Sequence, residues 1–173
     1  AWRVGEVHYD LGNDFYAAML DSRMTYSCAY WDGAHDLEAA QKAKLDLICR
    51  KLRLQPGIRL LDIGCGWGSL MGYAAERYGV ECVGITVSRE QTAWAKARYA
   101  GLPLEFRLQD YRSVNERFDR IASVGMFEHV GHRNYRTYME VARRCLADDG
   151  LFLLHTIGKN ERHTVTDPWI DKH

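Results

Sequence analysis

The sequence lacks three features that would place it in other classes of protein. No apolar run is long enough to span a bilayer, and residues 1–10 have no signal-peptide pattern. There is no basic excess either, because Lys and Arg together number 23 and so do Asp and Glu, which argues against a duplex nucleic-acid binder. Hydrophobic residues make up 47% and charged residues 27%, which is typical of a globular protein with a buried core.

Paired cysteines are also absent. The five cysteines lie singly along the chain and no C-x-x-C pair occurs, which argues against a disulfide framework and against a structural zinc site. No metal site is expected. Free thiols fit a reducing compartment, and we therefore expect a cytoplasmic location. The cysteines are Cys28, Cys49, Cys65, Cys82 and Cys145.

Strands and helices are predicted to alternate from residue 58 onward. The apolar spacing first predicts two helices, residues 11–20 and 37–54, the second capped by Asp36. The predicted strands are 58–63, 80–85, 104–108, 120–124 and 151–156, and the predicted helices between them are 69–78, 89–99 and 134–146. This alternation predicts an α/β fold, a Rossmann-like doubly wound parallel sheet (residues 57–173) behind an N-terminal helical lid (residues 1–56). The Lys and Arg residues from Lys42 to Arg53 are expected to form a solvated helix face.

A glycine-rich turn follows the first predicted strand. Glycine accepts positive φ and close backbone approach, and three glycines at alternate positions after a buried strand and an acid favour a ligand site over a simple tight turn. Dinucleotide folds usually show G-x-G-x-x-G, whereas here the third glycine comes one position early. The D-x-G-x-G-x-G order resembles the first motif of the Rossmann-like S-adenosylmethionine methyltransferases. That resemblance makes Asp62, Gly64, Gly66 and Trp67 expected cofactor contacts.

The ends of the next two strands complete the predicted cofactor site. The second strand ends without the carboxylate that many nucleotide-binding sheets use for the ribose hydroxyls, so Thr86 and Gln91 are expected to supply those hydrogen bonds. Gln109, Asp110 and Tyr111 follow the third strand, where adenine is expected. Asp110 can accept a hydrogen bond from the adenine amino group, and Tyr111 can offer a ring for stacking. A solvated loop at the strand end is the alternative for these three residues.

Taken together, these segments resemble the cyclopropane fatty acid synthase and mycolic acid cyclopropane synthase family of class I methyltransferases. The glycine turn is common to many methyltransferases, whereas the Ser-Cys-Ala-Tyr-Trp, Phe-Glu-His-Val-Gly and His-Thr-Ile-Gly strings are much more specific. The matching segments outside the glycine turn are His8–Tyr16, Tyr26–Trp31, Gln41–Lys44, Gly84–Gln91, Gln109–Tyr111, Phe127–Gly131 and Leu154–Gly158.

The resemblance implies transfer of a methylene group from S-adenosylmethionine to a cis double bond of a phospholipid acyl chain. It implies a bicarbonate ion held by Cys28, Glu128, His155 and Ile157, and it adds Tyr26, Ser27 and Gly125 to the cofactor contacts. It also implies peripheral association with the inner face of the membrane, and it allows a homodimer of the complete protein. Because family sheets finish with an antiparallel hairpin, we expect C-terminal strands to be missing from this chain.

The chemistry of an alkene agrees with these residue types. An alkene is a weak, uncharged nucleophile, so the methyl donor must be held close to it and water must be excluded. Methyl transfer leaves a carbocation, and ring closure then requires a proton acceptor nearby. Glu128 and His155 follow the fourth and end the fifth predicted strand, at the carboxyl edge where open α/β sheets bind ligands. They can act as the base or hold a small oxyacid that does. Cys28 reaches them only if the front segment, the predicted N-terminal lid of residues 1–56, folds over the site.

Three alternatives remain open from the sequence. An N-methyltransferase of a small amine would use the same cofactor but would need no base for an alkene-derived cation. An NAD-dependent oxidoreductase would use the glycine turn for a dinucleotide, although the early third glycine and the uncharged end of the second strand argue against it. A catalytically inactive module would bind S-adenosylmethionine without methyl transfer.

Overall fold

The computed structural model of the chain describes residues 12–158, and these form one parallel sheet with helices on both faces. The helices are α1 (Asn13–Met19), α2 (Leu37–Lys51), α3 (Ser69–Tyr78), α4 (Arg89–Arg98) and α5 (Tyr135–Cys145). The strands are β1 (Arg59–Ile63), β2 (Glu81–Thr86), β3 (Leu104–Leu108), β4 (Phe118–Val124) and β5 (Leu146–His155). Short 3-10 turns lie at Tyr111–Ser113, Phe127–His129 and His132–Asn134.

All ten predicted elements are present, and two of them, α3 and β3, have the predicted bounds. The capping prediction is also confirmed, because Asp36 Oδ1 accepts a 2.7 Å hydrogen bond from the backbone N–H of Ala39 at the start of α2. The 3-10 turns were not predicted, since three-residue turns leave no periodic signal. The segment His8–Leu11 and residues 159–173 lie outside the described part of the chain.

The strand order is β3-β2-β1-β4-β5, and all four strand pairs are parallel. The chain moves outward in one direction from β1 to β3 and then returns to the other side of β1 with β4. This reversal is the topological switch point of a doubly wound sheet, where the loops after β1 and β4 separate and leave a crevice. The predicted fold class is therefore confirmed, and the expected place for a ligand is the carboxyl end of β1 and β4.

The last strand begins five residues earlier than predicted, at Leu146. The Asp148-Asp149-Gly150 sequence is typical of a turn, but here it forms an irregularity within the strand. Leu146 pairs with Phe118 and Leu151 pairs with Arg120, so four residues of β5, 147–150, lie opposite Asp119 alone and form a large bulge. Beyond the bulge the register is regular as far as Val124 opposite His155.

Two hydrophobic clusters cover the two faces of the sheet. Successive side chains of a strand point to opposite faces, and accordingly Leu60 packs in the cluster of α2, α3 and α4, while Leu61 packs in the cluster of α5. Within residues 12–158, no helix is long and apolar enough to cross a membrane. The division of the chain at residue 56 stays a prediction.

The prediction that the Lys and Arg residues of α2 form a solvated face is wrong at one position. Lys42, Arg50, Lys51 and Arg53 are exposed as expected, but the side chain of Lys44 is only 5% exposed. Lys44 lies on the same side of the helix as the buried residues Ala40, Gln41 and Ile48, three or four positions away. It is therefore turned toward the sheet and not toward solvent.

Candidate functional site

A cavity of about 210 Å³ opens at the carboxyl edge of the sheet, across the ends of β1, β2, β3 and β4. It lies at the switch point where the fold is expected to bind a ligand. The cavity brings together all the residues predicted as cofactor contacts, although their role stays a prediction. They are Tyr26, Ser27, Asp62, Gly64, Gly66, Trp67, Thr86, Gln91, Gln109, Asp110, Tyr111 and Gly125.

The glycine turn forms one wall of this cavity. The backbone N–H groups of Gly64 and Cys65 both donate to the carbonyl of Ile85, at 2.9 and 3.0 Å, which ties the turn to the end of β2. Gly66 has φ +54°, and a Cβ added there would meet no atom within 4 Å. The missing side chain of Gly66 thus leaves open space where a ligand can lie against the backbone.

Asp62 is the acidic residue of β1 and lies almost fully buried at the cavity wall. Burial raises the pKa of its carboxyl to about 7, and the positive charge of Lys44 offsets only part of this effect. A carboxylate kept in such a place lowers stability, which is common for residues that contact ligands.

We expect Asp62→Asn to stabilise the complete protein at pH 8, by on the order of 2 kcal/mol, because the amide removes the cost of a buried charge. The folded-state pKa lies above the ordinary value of 3.8, so the cost of Asp62 develops between about pH 4 and pH 7 and is complete above pH 7. Urea unfolding at a series of pH values measures this. The stability gain of the variant should grow from pH 5 to pH 7 and then level off.

Asp46 provides a control, because the same substitution there should change the stability in the opposite direction. Hydrogen bonds, first from Tyr78 and then from Arg50 and Tyr73, outweigh burial and lower the pKa of its carboxyl. Asp46 therefore adds stability above its unfolded pKa, and Asp46→Asn should lose stability at neutral pH. A stability gain of Asp62→Asn that does not change with pH would contradict the assignment of the effect to a buried charge.

The residues at and after the end of β2 and those that follow β3 line the cavity, and each group also forms hydrogen bonds within itself. The Thr86 hydroxyl donates to Gln91 Oε1 at 2.7 Å, so the pair expected to bind the ribose hydroxyls is held together before any ligand binds. Asp110 accepts hydrogen bonds from the backbone N–H and the guanidinium of Arg112, which hold the pKa of its carboxyl below the ordinary value. Tyr111 is buried, with its ring centroid 5.0 Å from that of Tyr138.

Trp67 links the glycine turn to the front segment. Its indole N–H donates to Asn13 Oδ1 at 2.8 Å, and its ring lies 4.7 Å from the ring of Tyr16, centroid to centroid. Tyr16, Met24 and Trp67 form a small buried cluster of their own. The side chain of Trp67, which also lines the cavity, therefore holds α1 against the glycine turn.

The four residues predicted to hold bicarbonate come together beside the cavity, although they are not part of its lining. Cys28 Sγ lies 3.5 Å from His155 Nε2, and the backbone N–H of Ile157 donates to Glu128 Oε1 at 2.8 Å. The front segment, the turn after β4 and the end of β5 thus meet at one place. The Ile157 side chain itself is 80% exposed, so its contribution here is its backbone N–H.

Two buried polar atoms in this group have no hydrogen-bond partner within the described residues, namely Glu128 Oε2 and His155 Nδ1. Burial raises the pKa of Glu128, but hydrogen bonds from the backbone N–H groups of Glu128 and Ile157 and from the Thr156 side chain outweigh it and lower the pKa. Burial, and then the charge of Lys44, lower the pKa of His155. At neutral pH the pair is therefore a carboxylate beside a neutral imidazole.

The loop that carries Ser27 and Cys28 is fixed to α2 by two side chains. Gln41 Nε2 donates to the carbonyls of Thr25 and Ser27, and Lys44 Nζ donates to Ser27 Oγ at 2.6 Å. Neither residue was predicted from the sequence to be functional, although both fall in the Gln41–Lys44 segment that carries the family resemblance. The only other signal was a polar pair on the apolar side of a helix.

Comparisons with known proteins show the family of the chain. The family model for mycolic acid cyclopropane synthetase matches residues 1–173. The cyclopropane-fatty-acyl-phospholipid synthase of Escherichia coli strain K12 is 57% identical over the whole chain, and the chain spans 45% of that relative's length.

Two solved structures share the fold. The cyclopropane synthase MmaA2 of Mycobacterium tuberculosis has a TM-score of 0.90 at 38% identity, with 99% of this chain and 64% of that chain covered. The mycolic acid cyclopropane synthase CmaA1, in complex with SAH and CTAB, has a TM-score of 0.84 at 41% identity, with 87% of this chain and 55% of that chain covered. The chain has the fold of the class I S-adenosylmethionine methyltransferases, and it belongs to the mycolic acid cyclopropane synthetase family.

Proposed function

We propose that the complete protein is a cyclopropane-fatty-acyl-phospholipid synthase, which transfers a methylene group from S-adenosylmethionine to a cis double bond of a phospholipid acyl chain. The observation that carries the proposal is the meeting of Cys28, Glu128 and His155 beside a cavity at the sheet's switch point. These residues come from three distant parts of the sequence, and a merely structural role would not require them to meet there.

The cavity suits S-adenosylmethionine, a cationic and phosphate-free ligand. The space beside Gly66 admits a ligand against the backbone, and the carboxyl of Asp62 can face a positive charge. Hydroxyl and amide groups of Thr86 and Gln109 lie at the other end of the cavity, where they can bind a nucleoside. When bound, S-adenosylmethionine supplies an electrophilic methyl group. The chain's own contribution is to fix the orientation of the donor and to keep water away from it.

Glu128 and His155 take up the proton that ring closure releases. A neutral imidazole and an ionised carboxylate are both proton acceptors, and the lowered pKa values of both residues keep them in these forms at neutral pH. Placed at the end of the sheet next to the cavity, they meet the requirement of a proton acceptor that the alkene chemistry imposes.

The two unpartnered atoms also fit a small oxyacid. Glu128 Oε2 can accept a hydrogen bond from an O–H group, and His155 Nδ1 can donate one if its Nε2 accepts from the thiol of Cys28. Bicarbonate has both an O–H donor and acceptor oxygens. We therefore include bicarbonate, held by Cys28, Glu128, His155 and the N–H of Ile157, as a proton acceptor in the proposed function.

The acyl substrate requires an apolar surface near the site. Large apolar side chains of the front segment are exposed, including Phe15 at 57% and Trp31 at 55%. Aromatic residues of this kind are favoured at membrane interfaces, and we propose that the protein acts while peripherally bound to the inner face of the membrane. Unsaturated phospholipid chains are the proposed partners.

Incubation of the complete protein with methyl-labelled S-adenosylmethionine and vesicles of unsaturated phosphatidylethanolamine tests this function. Mass analysis of the released fatty acids should show the gain of one labelled methylene per double bond lost. No gain with lipid, together with methylation of a small amine, would replace the proposal by an N-methyltransferase. Binding of NAD but not of S-adenosylhomocysteine would replace it by an oxidoreductase.

A further inference from the structure

Lys44 is a buried cation that was not predicted from the sequence to belong to the site. Its side chain is 5% exposed and lines the cavity, and its Nζ donates to Ser27 Oγ at 2.6 Å. Within residues 12–158 its ammonium forms no ion pair, so a neutral hydroxyl is its bonded partner. Burial of an ammonium group is costly, and the charges of the nearby acids Asp21 and Asp62 offset only part of that cost.

The hydrogen bond to Lys44 also gives the Ser27 hydroxyl a direction. Because the ammonium can only donate, Ser27 Oγ is the acceptor, and the hydrogen of the hydroxyl is left to donate elsewhere. Ser27 itself lines the cavity. The pair therefore presents to the cavity a positive charge and an oriented O–H donor, which is an arrangement suited to an anionic group.

Ser27 marks one end of the cavity. A Cβ built on Gly125, at the end of β4, would lie 3.6 Å from the Cβ of Ser27. The opposite end of the cavity is formed by Gln109–Arg112, which follow β3. In the sheet, β2 and β1 lie between β3 and β4, and so between the two ends of the cavity. A ligand with a nucleoside at one end and an amino acid at the other places only one of them near Lys44. Of the two, only the amino acid has a carboxylate.

We propose that Lys44 is a positioning residue that, together with Ser27, holds the carboxylate of the amino-acid end of S-adenosylmethionine. This inference rests on the proposed function. Holding that end beside Ser27 directs the neighbouring part of the ligand toward Cys28, the next residue, and His155 3.5 Å beyond it. Burial lowers the pKa of Lys44 to about 8, which still leaves the side chain largely cationic at neutral pH.

Calorimetric titration of the complete protein with two ligands tests the proposal. S-adenosylhomocysteine has the amino-acid end, and 5′-methylthioadenosine lacks it. We expect Lys44→Met to weaken S-adenosylhomocysteine binding about tenfold or more and to leave methylthioadenosine binding unchanged. In combination with Ser27→Ala, the effects should be less than additive, because the two residues act on the same carboxylate.

Lys42→Met is the matched control, since it removes the same charge from the exposed side of α2 and should change neither affinity. Gln41→Met removes the other bond to the loop, and it should not show the selective loss for S-adenosylhomocysteine. If Lys44→Met does not fold, Lys44→Gln, which can still donate to Ser27 without the charge, gives the same comparison.

If Lys44→Met lost affinity for both ligands equally, Lys44 would only anchor the loop, and the inference would be overturned. Unchanged affinity for both ligands would also overturn it. Failure of the unmodified protein to bind S-adenosylhomocysteine would instead overturn the proposed function on which the inference rests.

Discussion

Glu128→Gln is expected to lower cyclopropane formation by roughly a thousandfold, because it removes a proton acceptor from the site and one of the groups that would hold bicarbonate. The variant keeps an oxygen that can accept from the N–H of Ile157, so the local structure is retained. The change is confined to the buried Oε2 position, where an acceptor is replaced by a donor. Turnover with unsaturated phospholipid vesicles, followed by mass analysis, measures the effect. Binding of S-adenosylhomocysteine should be unchanged.

Glu140→Gln is the matched control, since Glu140 is exposed on α5 and the same substitution there should leave turnover unchanged. Retention of ring formation within about tenfold of the unmodified protein would remove Glu128 from the proton route. Loss of S-adenosylhomocysteine binding by Glu128→Gln would show instead that the residue supports the cavity. An amine substrate should be methylated by the variant nearly normally, because an amine lone pair needs no base of this kind.

Gly68→Ala is expected to destabilise the complete protein by about 3 kcal/mol or more. Gly68 has φ +83°, where a side chain costs about 1–2 kcal/mol. A Cβ there would also lie 2.6 Å from the ring of Phe106, and overpacking of this kind typically adds about 1–3 kcal/mol. Urea unfolding measures the loss, which is a large part of the stability of an ordinary domain.

Gly66→Ala separates binding from stability in the same turn. Gly66 also has positive φ, but its Cβ would enter open space, so we expect a loss of only about 1–2 kcal/mol. The added methyl group would occupy the space beside the backbone, and S-adenosylhomocysteine should bind more weakly. Equal destabilisation by the two substitutions, with normal binding by Gly66→Ala, would mean that the turn has only a structural role.

The fold was predictable because its signals are local. Apolar spacing and turn residues define each helix and strand, and alternation of the two leads to a parallel sheet. In a parallel sheet the carboxyl ends of the strands meet at one edge, so residues such as Asp62, Thr86 and Gln109 could be expected in one place from the sequence alone. All three line the cavity.

The remaining parts of the site depend on contacts that no local pattern specifies. Cys28 and His155 are 127 positions apart in the sequence, and only the family resemblance placed them together. Lys44 was expected in solvent because lysine is rarely buried, and the packing of α2 against the sheet overrides that tendency. The early start of β5 was missed since an Asp-Asp-Gly sequence more often forms a turn than a bulge.

The bulge between Leu146 and Leu151 has a consequence for His155. It lies directly after α5, at the far end of the strand from the site, and the pairing from Leu151 to His155 is regular. Side chains alternate between faces, so a slip of one residue in that pairing would turn His155 away from Cys28. A bulge at the start of the strand can absorb an added or lost residue before the slip reaches the imidazole. The number of residues in the bulge can therefore vary without turning the His155 side chain away from Cys28.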